Sequence, residues 1–101
     1  MGQVLTSSRP GTITVSGGSG SVNITSQNSV LSQIFVKAPV STTTFDVGLT
    51  DIHDNVTFKR EDETGELNEM LSMACYGNWT LSVSNASADG DFTYCLAFRE
   101  Q

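Results

Sequence analysis

The sequence predicts an all-β fold, a single antiparallel β-sandwich of jelly-roll type with roughly seven to nine short strands across residues 1–101. Three observations carry that expectation. A quarter of the chain is Ser or Thr, and many of these alternate with apolar, often β-branched residues, the period of a half-buried strand. Clusters of Gly, Pro, Asp and Asn punctuate the alternating runs at regular intervals. Nowhere do apolar residues keep helical spacing for three turns.

Taken in order, the expected strands are a weak Val4–Thr6, then Thr12–Ser16, Ser21–Thr25, Leu31–Ala38 and Thr44–Thr50. Asn55–Glu61, Leu67–Met73, Asn78–Asn85 and Asp91–Arg99 complete the set. The turns between them fall at Arg9-Pro10-Gly11, Gly17–Gly20, Asp51–Asn55, Glu63–Gly65 and Asp89–Asp91. Glu66–Ala74 has a second reading, because Leu67, Met70, Leu71 and Ala74 also fit two turns of helix. Residues 1–11 carry little pattern beyond Val4-Leu5. They read as a disordered terminus or as an N-terminal arm that adds a strand to a neighbouring chain. Gly17–Gly20 is expected to add mobility.

The last two strands are expected to form a hairpin at the centre of the core. With a turn at Ala86–Asp89, Val83 opposes Phe92, Leu81 opposes Tyr94 and Trp79 opposes Leu96, so both apolar rows share one face. Phe45, Val47 and Leu49 would then supply the facing sheet. In that register Cys95 lies opposite Thr80, and Cys75 sits about 16 Å away at ~3.3 Å per residue. That is too far for a disulfide, so two free thiols are expected.

Charge and composition narrow the function classes. Five Lys+Arg against eleven Asp+Glu give a net charge of −6, which disfavours nucleic acid as a partner. No apolar run is long enough for a membrane helix, so no membrane partner is expected. The residues after Met1 hold no apolar signal segment, which points to synthesis in a reducing cytoplasm. Four Asn-x-Ser/Thr sequons, at Asn23, Asn55, Asn78 and Asn85, are then read as a product of strand composition rather than as glycan sites.

Candidate sites are few. Asp51, His53, Asp54 and Asn55 put oxygens and an imidazole into one turn that a calcium ion would fit if more ligands joined, with Asp89 and Asp91 the nearest candidates. The plainer reading is Asp and Asn capping turns. His53 lacks a nucleophile in an elbow context, and Gly18-Ser19-Gly20 precedes no helix that would cradle phosphate. No catalytic, cofactor-binding or metal residue is therefore assigned, and a non-enzyme is expected. The run Lys59–Glu63 with Glu66 reads as a solvated hairpin tip or as a rim facing a neighbouring subunit. Trp79 and Tyr76 would make a small sugar platform if both were exposed, but Trp79 falls on the expected core face.

The stretch Gly77-Asn78-Trp79-Thr80-Leu81-Ser82-Val83, continued through Gly90 to Leu96-Ala97-Phe98, resembles the closing hairpin of jelly-roll modules such as convertase P domains and bacterial prepeptidase C-terminal domains. Together with Thr44–Asp51, the acidic run and Gly65-Glu66-Leu67, it is also similar to small stand-alone β-sandwich proteins of tailed bacteriophages. The phage resemblance implies a virion structural protein, most simply a capsid decoration (cement) protein assembled in the host cytoplasm. Its partners would be the major capsid protein or other virion proteins, and its form a homo-oligomer, with a trimer suited to local three-fold sites. The resemblance supplies no cofactor and no functional residue. The competing class is a carbohydrate- or host-surface-binding module. It predicts an exposed aromatic pair or calcium at Asp51–Asn55, whereas the virion class predicts a broad uncharged patch and an ordered N-terminal arm.

Overall fold

The computed structural model describes residues 6–100, and among these every regular element is a strand. They are β1 (Thr6–Val15), β2 (Gly20–Lys37), β3 (Thr44–Thr50), β4 (Val56–Thr64), β5 (Glu66–Ser84) and β6 (Gly90–Glu100). The hydrogen-bonded order is β1-β6-β2-β5-β3-β4, antiparallel throughout. Two strands are far longer than the rest, and they pair with each other. Their ladder shifts register between Ser26↔Gly77 and Ser29↔Cys75, where Gly77 takes a φ of 85° that a side chain would resist. The bend divides β2 and β5 into halves, giving eight strand segments in two packed four-stranded sheets. Sheet I holds β1, β6, the second half of β2 and the first half of β5. Sheet II holds the other halves with β3 and β4.

The alternation read from the sequence decides which side chains meet between the sheets. Ile13, Ile34, Val36, Phe92 and Leu96 project from sheet I, and Phe45, Val47, Leu49, Leu81 and Val83 from sheet II, each at most 1% exposed. Burying each such side chain contributes about 1.5–3 kcal/mol. The rings of Phe45 and Phe92 meet edge-to-face across the two layers, 5.2 Å apart at 84°, the geometry aromatic quadrupoles favour.

The strands after Gly77 and Gly90 do not form the expected hairpin. Val83 pairs with Gly20 and Val47, and Leu81 with Val22 and Leu49. Phe92 pairs with Ile13, and Leu96 with Ile34 and Arg9. Both apolar rows are buried, but they face each other from opposite sheets. Alternation specifies the inward face of a strand and leaves its sheet open. Here the link after Ser84 crosses between layers ~10 Å apart. Asn85 starts it at φ 50°, and it is pinned where Thr44 N–H donates to Ser87 Oγ and Ser87 N–H to Thr44 O, both 2.9 Å. Phe45 does meet β6 across the core, through Phe92, whereas Val47 and Leu49 pair with Val83 and Leu81 of β5 in their own sheet.

Other expectations change as well. The chain does not turn at Arg9-Pro10-Gly11. β1 runs straight through it as an edge strand, where a proline without an N–H is tolerated. Tyr94 lies over Gly11, in the space a side chain there would need. Thr6–Gly11 thus pair with β6 of their own chain rather than forming an arm, and residues 1–5 lie outside the described residues. Glu66–Ala74 is strand, not helix. Gly17-Gly18 form a tight two-residue turn with both φ positive, bonded Ser16 to Ser19. Asp89 accepts the Gly17 and Gly18 N–H groups at 3.1 and 2.9 Å, which ties the turn to the β5–β6 link. Cys75 is buried, Cys95 is half-buried, and no disulfide joins them. The expected separation therefore holds, through a different register in which β2 carries their partners Ser29 and Phe35.

Candidate functional site

Side chains that alternate away from the core form the outer faces of the two sheets, and these differ in chemistry. On sheet I, Ile34 and Leu96 point inward, so their neighbours Phe35 and Cys95 point out. Register places Asn68, Phe35, Cys95 and Pro10 in one row across the four strands. The next row is Met70, Gln33, Ala97 and Ser8. Met70 is 72% exposed. Neither row holds a charge, on a chain with eleven acidic residues. The charged groups stand at the ends. Lys37 and Glu66 pair in register beyond one row. Beyond the other, Arg99 reaches across β2 to donate to Ser72 Oγ at 3.3 Å. Its Nε–H is shielded from solvent and meets no acceptor, an expensive state for a charged donor.

Sheet II presents small polar groups instead. Thr25 Oγ1 donates to Asn78 Oδ1 at 2.9 Å and Thr80 Oγ1 to Asn23 Oδ1 at 3.2 Å, binding β2 to β5 along the outer surface. Gly48 leaves a hollow of about 190 Å3 beside Ser82, Asp46 and Lys59, smaller than the ~300 Å3 at which ligand pockets usually begin. Asp46 is buried there and was not singled out from the sequence. In the register shift of β4 its carboxylate accepts the Asp62 N–H at 2.9 Å and the Asn85 amide at 2.7 Å. The Asn85 hydrogen bond, followed by that of Asp62, holds its pKa below the usual 3.8.

The Asp51–Asn55 turn is self-contained. Asp51 Oδ1 accepts the N–H groups of His53 and Asn55, each at 2.9 Å, and Oδ2 the Asn55 amide at 3.2 Å. The Asn55 N–H is the largest cause of a lowered Asp51 pKa. The carboxylate that would anchor a cation is thus engaged in shaping its own loop. Asp89 and Asp91 do not approach it. They lie at the Gly17-Gly18 end, where Asp91 accepts from Thr14 Oγ1 at 3.2 Å. Among the described residues, no group of three or more His, Cys, Asp or Glu side chains could hold a metal ion. All four sequon asparagines use their amides in hydrogen bonds within the fold. Trp79 is 8% exposed, a core tryptophan, and the Tyr76 side chain lies outside the described residues.

The charge run Lys59–Glu63 lies on β4, an edge strand, and not on a hairpin tip. Arg60 forms a two-pronged pair with Glu69 of β5, from Nε to Oε1 at 2.8 Å and from Nη2 to Oε2, and its guanidinium lies 4.5 Å from the Phe58 ring centre. The pair spans a groove of about 460 Å3 between the edges of the two sheets. The sequence signal for the uncharged face was present but ambiguous, since Met70, Ala74, Phe35 and Ala97 are apolar residues at outward positions of strands whose inward positions are also apolar. No family model and no curated protein matches this sequence.

Proposed function

We propose that this chain is a non-enzymatic structural protein of a virus particle, of the capsid decoration type, that binds other virion proteins and copies of itself. The observation that carries the reading is the uncharged outer face of sheet I, four strands wide, on a chain of net charge −6. Contiguous surface of this kind marks protein contact, because charged side chains are the ones depleted from interface centres. The phage resemblance supplies the kind of particle. In such a role each subunit would stabilise the lattice by mass action, adding interface area at capsomer junctions. Quantitative mass spectrometry of particles purified from the source of this gene tests the reading. The chain is expected in fixed ratio to the major capsid protein. Its absence from clean particles would overturn the proposal.

A further inference from the structure

The two flanks of the sandwich treat their strand edges differently. On one flank, β4 carries the charged run Lys59–Glu63 and a register shift, and β5 carries Glu66 and Glu69. Charges and bulges of this kind keep an open edge from pairing with another chain. On the other flank, β1 is the edge of sheet I and the first half of β2 the edge of sheet II. No charged side chain occurs anywhere in residues 10–36. Pro10 blunts β1, but β2 from Gly20 to Ser26 has neither a proline nor a register shift against β5. β1 comes against it at Gly20, where Thr14 O occupies the space of a side chain. Beyond that point, among the described residues, no strand pairs with its outer side.

We propose that this edge pairs antiparallel with the same edge of a second copy, about a two-fold axis that passes Ile24 and stands normal to sheet II. The outer-face side chains make a second copy the fitting occupant. Thr80 Oγ1 donates to Asn23 Oδ1, and Thr25 Oγ1 donates to Asn78 Oδ1. Among the described residues, Asn23 therefore keeps its amide donors and Thr25 its hydroxyl lone pairs. The two-fold sets Asn23 beside the partner subunit's Thr25, donor to acceptor, and the reciprocal contact follows from the symmetry. Each contact lengthens a row already present, from Thr80 through Asn23 to the partner subunit's Thr25 and the partner subunit's Asn78. One strand supplies both halves of the match, and an identical strand run antiparallel repeats it twice. Two chains of charge −6 meet here with no charged side chain on either edge.

A two-fold normal to the sheet keeps each inward side chain inward, so sheet II of the two copies becomes one continuous sheet with both cores on the same side. The contact is short. Val22–Ser26 pair with the same residues of the partner subunit in reverse order, about 16 Å at ~3.3 Å per residue. That is small beside a standard interface, and a dissociation constant of roughly 100 μM is expected. The inference goes beyond the virion reading and uses a different surface, which leaves the outer face of sheet I to another virion protein.

The test is sedimentation equilibrium of the purified full chain up to about 1 mM, well above the expected constant. A monomer–dimer equilibrium is expected. Asn23→Lys and Thr25→Lys, both at exposed positions, place a charge on the edge and should each weaken dimerisation about tenfold or more. Met70→Glu, on the outer face of sheet I, should leave it unchanged. Amide exchange reads the same contact in the unaltered chain. The N–H groups of Val22–Ser26 that point away from β5 should exchange about threefold slower at high concentration than at low. A protein that stays monomeric throughout, or forms a closed trimer, overturns the proposal. So does a dimer that Met70→Glu breaks and the edge variants leave intact. Failure here and failure of the virion reading are separable. A monomer abundant in particles sinks only the edge pairing, and a dimer missing from particles sinks only the virion role.

Discussion

The two outer surfaces of this sandwich are built from the same backbone and share two strands, yet they solve exposure differently. Sheet II covers itself with Thr, Asn and Ser side chains that hydrogen-bond across strands, as in Thr25–Asn78 and Thr80–Asn23. Sheet I sets Phe35, Cys95, Ala97 and Met70 on its outer side and leaves the Arg99 Nε–H without an acceptor. The first surface is satisfied by its own groups and by water. The second has one such cross-strand pair in its uncharged rows, Gln33 Nε2 donating to Asn68 Oδ1 at 2.8 Å, beside apolar side chains that have no polar group to satisfy. The contrast shows that apolar content alone does not separate core from contact surface in a small β protein. What separates them is whether the polar groups nearby have partners.

The contrast can be pressed hardest through the core that both sheets share. Phe92→Ala removes the ring that meets Phe45 between the layers and is expected to cost about 3–5 kcal/mol. Thermal unfolding should show one transition shifted downward. Two separate transitions would mean that the sheets are independent and the comparison is between two folding units.

Acid should act next, and on sheet II. Asp46 has a folded pKa below 3.8, so the stability it contributes is present above that value and is lost as pH falls through the depressed folded value. Melting temperature should drop below about pH 4, and Asp46→Asn should flatten part of that slope. An unchanged acid profile in the variant would remove Asp46 as the tie between β4 and the exit of β5.

The smallest effect is expected at Asp89, whose two hydrogen bonds to Gly17 and Gly18 are exposed. Asp89→Ala should cost about 1 kcal/mol and speed amide exchange at the β1–β2 turn without altering either outer face. If association changed instead, the turn would belong to the contact surface.

Much of the architecture was legible in the residues. Thr44–Thr50 reads as a strand and forms β3 with those bounds, because its Phe-x-Val-x-Leu pattern admits one periodicity. Glu66–Ala74 was ambiguous for a physical reason. Leu67, Met70, Leu71 and Ala74 fit a helix only if all belong to one face, whereas in the strand Leu67 and Leu71 turn inward and Met70 and Ala74 outward. The pairing of β6 was not legible, since Phe92 and Leu96 fit a neighbour in the same sheet or a partner across the core equally well. Asp46 was hidden likewise. It sits at an outward position among core residues, and only the register shift at Asp62 and the arrival of Asn85 bury it. The uncharged face emerges only when four strands far apart in sequence are laid side by side.

The unbroken passage of β2 and β5 through both layers also bears on mechanical strength. A load on either sheet is carried into the other along one ladder that runs from Gly20↔Val83 to Lys37↔Glu66. Pulling along those strands loads many hydrogen bonds in shear at once, whereas pulling across the edge at β1 or β4 opens them one at a time. The molecule should therefore resist force unequally, stiff along β2 and β5 and weaker at its flanks.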